Sequence, residues 1–202
     1  MKTNYNLIMN EILKSIDLEN VPSILLHSCC GPCSTEVISR LTKYFNITVL
    51  YYNPNIEPEE EYIKRKNEQI KFIKAFKPIN SLEFMDCDYD NDAFFKMSKG
   101  YENEPEGSIR CHLCYKLRLQ KTLDIALAND FDYFGTTLTV SPYKNAQVLN
   151  QIGEALSKDK NIKFLYSDFK KEDGYKKSIE YSKEYDLYRQ EYCGCHFSQN
   201  NN

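Results

Sequence analysis

The chain reads as an α/β protein built on a doubly wound, mostly parallel sheet. Three observations predict it. Short apolar runs rich in β-branched and aromatic residues alternate with longer stretches of helical periodicity. The runs at residues 23–27 and 47–52 are apolar enough to be buried strands. The residues that carry chemistry follow the strands: a cysteine cluster comes directly after the first run, and the segment 136–141 follows a later one. Sheets of this kind bind ligands beyond the carboxyl ends of their strands.

Each element can be justified in turn. Leu7, Ile8, Ile12, Leu13 and Ile16 recur at helical spacing, so residues 6–16 form a first helix, outside the main unit and ended by a connector at Pro22. Ile24-Leu25-Leu26 is the first strand. Val37, Ile38 and Leu41 mark a helix from Ser34 onward. The strand at 47–52 is broken by Asn53-Pro54-Asn55. A long helix spans 57–76, with acidic residues in its first turns that suit the helix dipole. Residues 82–85 form a weaker strand and 90–97 a short helix. A loop at 99–110 leads to a helix at 112–128 carrying Leu117, Leu119, Leu123 and Leu127. A strand begins at 132–135. Ser141-Pro142 has the form of an N-cap and first-turn proline, opening a helix to about Leu156. A final strand at 162–165 and a mostly helical stretch at 171–188 follow, and residues 199–202 form a polar, frayed tail. One catalytic domain over 1–202, with 1–21 as a helical extension, is expected.

The chain has 202 residues, 42% hydrophobic, 27% charged and a formal net charge of -3, which excludes disorder and a protein that coats nucleic acid by charge alone. No run approaches the roughly 20 apolar residues of a membrane span, and no signal sequence opens the chain. A cytoplasmic protein without membrane association is expected. Local basic residues, Lys170-Lys171, Lys176-Lys177, Lys183 and Arg189, precede the last cysteines, interleaved with Tyr175, Tyr181, Tyr185, Tyr188 and Tyr192. They suit either a solvated helix face or a polyanion-binding patch with rings for stacking.

Seven of the eight cysteines are clustered: Cys29-Cys30-Gly31-Pro32-Cys33, Cys111-His112-Leu113-Cys114 and Cys193-Gly194-Cys195. In a reducing compartment such spacings serve metal binding or thiol chemistry rather than structural disulfides. Cys111-x-x-Cys114 at a loop-to-helix junction can put two sulfurs on one metal, and the helix dipole there favours thiolate. With Cys29 and Cys30 it offers four thiolates. Adjacent cysteines are awkward for a single tetrahedral zinc and fit a larger cluster or two metals better, which favours iron–sulfur over zinc. A Cys-x-Cys disulfide closes a small, strained ring, which suits a redox-active pair at Cys193 and Cys195; a pair of metal ligands is the alternative. Cys33 is open between a ligand and a core thiol. Cys87 reads as structural, His27 as a satisfied core histidine, and His112 as pointing away from the ligands on either side of it. Asp168 is a candidate acid or metal ligand, with a surface carboxylate as the alternative. No HExxH, P-loop or GxGxxG is present.

These residues carry a resemblance. His27-Ser28-Cys29-Cys30-Gly31-Pro32-Cys33-Ser34, Tyr52-Asn53-Pro54-Asn55-Ile56 and Arg110-Cys111-x-x-Cys114-Tyr115-x-Leu117-Arg118-Leu119 resemble the QueH-type epoxyqueuosine reductases. So do Thr136-Thr137-Leu138-Thr139-x-Ser141-Pro142-x-Lys144-Asn145, Ser167-Asp168-Phe169-Lys170-Lys171 and Tyr188-Arg189-Gln190-x-Tyr192-Cys193-Gly194-Cys195. The match runs in one order from about Leu25 to Ser198.

The resemblance implies the last step of queuosine synthesis on transfer RNA: the epoxide of epoxyqueuosine, in the wobble nucleoside of the anticodon, is reduced to an alkene. It implies a fold similar to the adenine-nucleotide α-hydrolase-like (HUP) proteins, with helical additions carrying the cysteines. The first cysteine cluster replaces the phosphate loop of those proteins, so ATP is not expected, and cobalamin, used by an unrelated enzyme with the same reaction, is not expected either. Matched residue by residue, Cys29, Cys30, Cys111 and Cys114 are implied ligands of a [4Fe–4S] cluster, and Cys193 with Cys195 its redox-active pair. A second iron or zinc using Cys33 or Asp168 is compatible with the same picture. Arg118, Lys144, Lys170, Lys171, Lys176 and Arg189 are expected to hold RNA phosphates. A monomer with an unidentified electron donor completes the expectation. Two rivals differ in class. A zinc-stapled RNA-binding module would have little use for a strained dithiol. An iron–sulfur transfer RNA thiolase would need ATP.

Overall fold

The computed structural model describes residues 3–199. Its five strands are β1 (Ser23–His27), β2 (Asn46–Tyr51), β3 (Leu82–Asp86), β4 (Tyr133–Thr136) and β5 (Lys163–Phe164). They form one sheet in the order β3-β2-β1-β4-β5, and every pairing is parallel. The doubly wound α/β architecture is therefore present. Chain order places β2 and β4 on opposite sides of β1, so connections leaving the sheet centre diverge there and open a crevice beyond the strand ends.

Alternation along the strands sorts the core into two layers. Ile24 and Leu26 of β1, with Ile47 and Val49 of β2, face one side; Leu25 and Leu50 face the other. The first layer is covered by Met9 and Leu13 of α1 (Tyr5–Lys14), Val37, Ile38 and Leu41 of α2 (Gly31–Leu41), and Phe72 of α3 (Glu59–Ala75). The second is covered by Leu119, Leu123 and Ala126 of α5 (Ile109–Ala128) and Leu149 of α6 (Ala146–Ser157). A parallel sheet covered on both faces needs continuous apolar strands, which is why Ile24-Leu25-Leu26 carries no polar alternation.

Boundaries shift where capping chemistry outranks apolar periodicity. The helix expected from Ser34 begins at Gly31, with Pro32 in its first turn, where the missing amide costs nothing. The helix expected from His112 begins at Ile109, which puts Cys111 inside its first turn. Ser141-Pro142 does not open α6. Asn145 caps it instead, its side-chain oxygen accepting from the amides of Gln147 (3.0 Å) and Val148 (3.3 Å). Residues 137–140 are a short 3-10 turn. The late helix is α7 (Gly174–Glu184), shorter than 171–188, and α4 (Asn91–Ser98) matches the short helix expected at 90–97. A last turn, α8 (His196–Gln199), had no sequence signal, and of the expected frayed tail residues 200–202 lie outside the described residues. No helix among the described residues is long and apolar enough to cross a membrane.

Candidate metal and thiol site

The first cluster occupies the turn from β1 into α2. Its scaffold is braced below the thiols. The Ser28 amide donates to Leu50 O (2.9 Å) and Asn53 Nδ2 donates to Ser28 O (2.8 Å), tying the ends of β1 and β2 together. Ser28 Oγ donates to Gln69 Oε1 (2.6 Å), and Gln69 Nε2 donates to Ser34 Oγ (2.9 Å), tying the turn to α3. Gly31 has no alternative: a Cβ there would lie 2.7 Å from the Glu68 carbonyl oxygen. His27 is fully buried between Thr136 Oγ1 (3.1 Å) and Tyr52 O (3.0 Å), a satisfied core histidine as its strand position suggested. Burial lowers its pKa to about 4, so the ring is neutral.

On this scaffold the Sγ atoms of Cys29, Cys30 and Cys33 converge, all within 4.8 Å of one another. Cys33, left open by its spacing, thus stands with the adjacent pair. Burial pushes the Cys30 thiol up, but hydrogen bonds from Cys29, Cys33 and Gln190 outweigh it and hold Cys30 well below the ordinary thiol range. Gln190 Nε2 lies 2.9 Å from Cys30 Sγ. Cys29, hydrogen-bonded to Cys30, is pushed up to about 11.

The other two clusters meet each other. Cys111 and Cys114 lie three residues apart on one face of α5, and they line a small cavity together with Cys193 and Cys195. Arg118, one turn further along α5, and Lys144, on the turn after β4, line the same cavity. Lys144 Nζ is 3.0 Å from Cys193 Sγ. Burial raises Cys193, yet Lys144 and then Arg118 hold it below the ordinary thiol value. Cys114 is raised by burial, against the expectation that the helix terminus would favour its thiolate. Desolvation inside the cavity is the largest influence on it, ahead of the opposing Arg118 charge. Cys195 is pushed up to about 12, chiefly by burial and then by Cys193.

Both groups open toward a cleft of about 930 Å³ lined by Cys29, Cys33, Arg118, Lys144, Gln190 and Cys193, among others. Arg118 and Cys193 line both spaces and Lys144 does too, so cleft and cavity share one wall. The segment bearing Cys193 is fastened to α3. Arg65, 2% exposed, pairs with Glu61 (2.6 Å) and donates to Cys193 O (3.1 Å), while the Glu57 amide donates to Gly194 O (2.8 Å). Gly194 has φ +97°, and a Cβ there would meet Arg65 Nη1 at 2.9 Å.

Two of the residues expected to hold phosphates are buried. Arg118 is 2% exposed and Lys144 9% exposed; both turn inward among thiols, because in a desolvated site a cation is held by nearby thiolates and not by solvent. Lys171 and Lys176 are exposed, and Lys170 is partly buried in an ion pair with Asp168 (2.9 Å). That pairing holds Asp168, which lines neither space, so the structure does not bring it to the thiols. Arg189 lines the cleft but donates to Ser178 O (3.3 Å) and Ser182 Oγ (3.2 Å) of α7. Cys87 packs against the second core layer. Arg65, Asn55 and Gln190 were not singled out from sequence. Asn55 and Gln190 fall within the quoted motifs, whereas Arg65 had only its i,i+4 spacing from Glu61 as a signal.

The residues present fit a metal. Three buried or half-buried thiols converge, and soft thiolates select iron–sulfur, zinc or copper over hard cations. Arg118 Nη2 and Gln190 Oε1 on the cleft and Asn55 Oδ1 on the smaller cavity are buried polar atoms without a protein partner, which marks a site shaped for a further occupant. Thiols that can hold a metal, set at the carboxyl edge of a doubly wound sheet, define an α/β protein of the thiol metal-site class.

Comparison with known proteins narrows the class. Residues 24–201 match the family model "Epoxyqueuosine reductase QueH". The chain is 44% identical over 197 residues to a protein of that name from Streptococcus pyogenes serotype M1, covering 96% of this chain and 77% of the relative. It is 42% identical to the one from Staphylococcus epidermidis, with 98% and 85% coverage, and 32% identical to the one from Thermotoga maritima, with 87% and 90% coverage. The chain belongs to the QueH family of epoxyqueuosine reductases.

Proposed function

We propose that the chain reduces the epoxide of epoxyqueuosine in transfer RNA to the alkene of queuosine, and that its clustered thiols carry the electrons. Family membership supports the reaction. The observation that carries the site assignment is the convergence of Cys29, Cys30 and Cys33 at a cleft whose wall also bears Cys193 and Lys144.

Cys29, Cys30, Cys111 and Cys114 are the proposed holders of a [4Fe–4S] cluster, with Cys33 beside the first pair as a further thiolate for it or for a second iron or zinc. When bound, such a cluster supplies electrons one at a time. The chain's own residues do the rest. Arg118 and Lys144 compensate thiolate charge in a desolvated site and hold the Cys193 thiol below its ordinary value. Deoxygenation breaks both C–O bonds of the epoxide, forms the C=C bond and releases oxygen as water, consuming two electrons and two protons. Oxidation of the Cys193 and Cys195 pair to a disulfide releases two electrons and whatever protons its thiols carry; a proton missing from a thiolate comes from water. An external donor must then reduce the pair. The cleft has room for one extended nucleoside, so the wobble nucleotide is expected to be splayed from its loop into the site. Exposed Lys171 and Lys176, outside the cleft, remain available to phosphates.

The test is anaerobic incubation of reconstituted protein with epoxyqueuosine-containing RNA, read by nucleoside mass spectrometry. Queuosine should appear. Colourless protein holding stoichiometric zinc would remove the iron–sulfur assignment. Full turnover by Cys193→Ser would remove the dithiol.

A further inference from the structure

Three tyrosines, Tyr143, Tyr175 and Tyr192, line the cleft, and they are not equivalent. The Arg189 guanidinium sits 5.2 Å from the centre of the Tyr175 ring. The Arg65 guanidinium sits 4.9 Å from that of Tyr192. Both rings are committed to the protein. Tyr143 has no ring or cation partner among the described residues, and it is 79% exposed, more than any other large hydrophobic side chain among them.

The backbone that carries it is nevertheless fixed, so the ring turns only about its own side-chain bonds. The turn that carries it is closed by the Ser141 amide on Leu138 O (3.2 Å) and the Lys144 amide on Ser141 O (3.3 Å), and Ser141 Oγ accepts from the Tyr143 amide (3.3 Å). The next residue, Lys144, is anchored inside at Cys193 Sγ (3.0 Å). A free aromatic side chain is therefore mounted on a braced turn at the lip of the space that must receive one nucleotide. Extruding that nucleotide breaks its stacking, and its loop neighbours then present unpaired faces to the lip. Base-on-ring stacking supplies the compensating contact.

We propose that Tyr143 is a substrate-positioning residue, whose ring stacks on an anticodon-loop base adjacent to the nucleotide held in the cleft. This rests on the proposed reaction with RNA. An apolar or polar contact of the hydroxyl would need the oxygen; stacking needs only the ring.

The experiment uses the reconstituted enzyme and an anticodon stem-loop carrying epoxyqueuosine, with Tyr143→Ala, Tyr143→Phe and Tyr143→Trp. Loss of one stacking contact should raise KM of the alanine variant by about tenfold, with the loss falling on KM rather than kcat. The phenylalanine and tryptophan variants should keep the wild-type KM. A 2-aminopurine placed beside the modified nucleotide should be quenched on binding wild type and not on binding the alanine variant. An unchanged KM in the alanine variant, equal losses in alanine and phenylalanine, or unchanged quenching would each overturn the stacking role while leaving the reaction intact. A wild-type enzyme that leaves the epoxide untouched would remove the proposed function and this inference together.

Discussion

Lys144 Nζ lies 3.0 Å from Cys193 Sγ, in a site where both are largely removed from water. The pair makes the two thiols of the Cys-Gly-Cys segment chemically unequal. Cys193 is held below the ordinary thiol value while Cys195 is pushed up to about 12. Metal-free protein at mildly alkaline pH should therefore be alkylated at Cys193 before Cys195, read by peptide mass spectrometry. In Lys144→Met the pH midpoint for labelling Cys193 should rise, since removing an opposite charge in contact with the sulfur favours the neutral thiol. An unmoved midpoint would show that the lysine does not tune the thiol.

Arg65 and Gly194 together set the height of the last thiol segment over α3. Arg65→Met leaves Glu61 and the Cys193 carbonyl without their buried donor, and should cost about 3 kcal/mol in urea unfolding. Gly194→Ala forces a side chain into a left-handed backbone against the guanidinium, and should cost about 2 kcal/mol. The alanine variant should stay folded at 25 °C yet lose most turnover. Wild-type turnover would mean that the segment's placement is not critical.

Cys33 and Cys87 are both half-buried free thiols, but only Cys33 converges with two others. After anaerobic reconstitution, Cys33→Ser should bind less iron per chain than wild type, and Cys87→Ser the same amount. Equal iron in both variants would remove Cys33 from the metal site.

His27 gives a pH signature. Its folded pKa is lowered to about 4 from an ordinary 6.5, so the folded protein disfavours the proton that the unfolded chain accepts. The stabilisation is complete above pH 6.5 and is lost as pH falls from there toward 4. Between pH 7 and 5 the loss should be about 2 kcal/mol in urea unfolding, and His27→Gln should reduce that slope. A slope unchanged in the variant would assign the pH dependence to other groups.

Strand positions were legible because burial on both faces leaves a composition that spacing alone reveals, as in Ile24-Leu25-Leu26. The cysteine clusters were legible as chemistry because thiols rarely crowd by accident. Their partition was less so: the place of Cys33 depends on α2 starting at Gly31, a boundary set by a proline in the first turn rather than by apolar period. Cys111 and Cys114 share a cavity with Cys193 and Cys195 only through tertiary packing. The basic residues show the same limit. Arg118 and Lys176 look alike in sequence, yet one is buried among thiols and the other is solvated, because direction on a helix is decided by what the helix packs against. Arg65 illustrates the converse, a surface-like residue in a charged helix that the fold turns into an internal brace.

The hydrogen bonds beneath the first cluster have a consequence for assembly. Ser28, Gln69 and Ser34 bond one another, Asn53 Nδ2 holds the Ser28 carbonyl, Thr136 and Tyr52 hold His27, and two apolar layers flank the sheet under them. In small zinc domains the ion is the staple, and removing it unfolds the chain. Here the metal would be a passenger in a finished frame. If the proposed cluster is what it carries, stripping it with a chelator should bleach the protein and silence it while leaving its circular dichroism unchanged, and reloading should restore turnover.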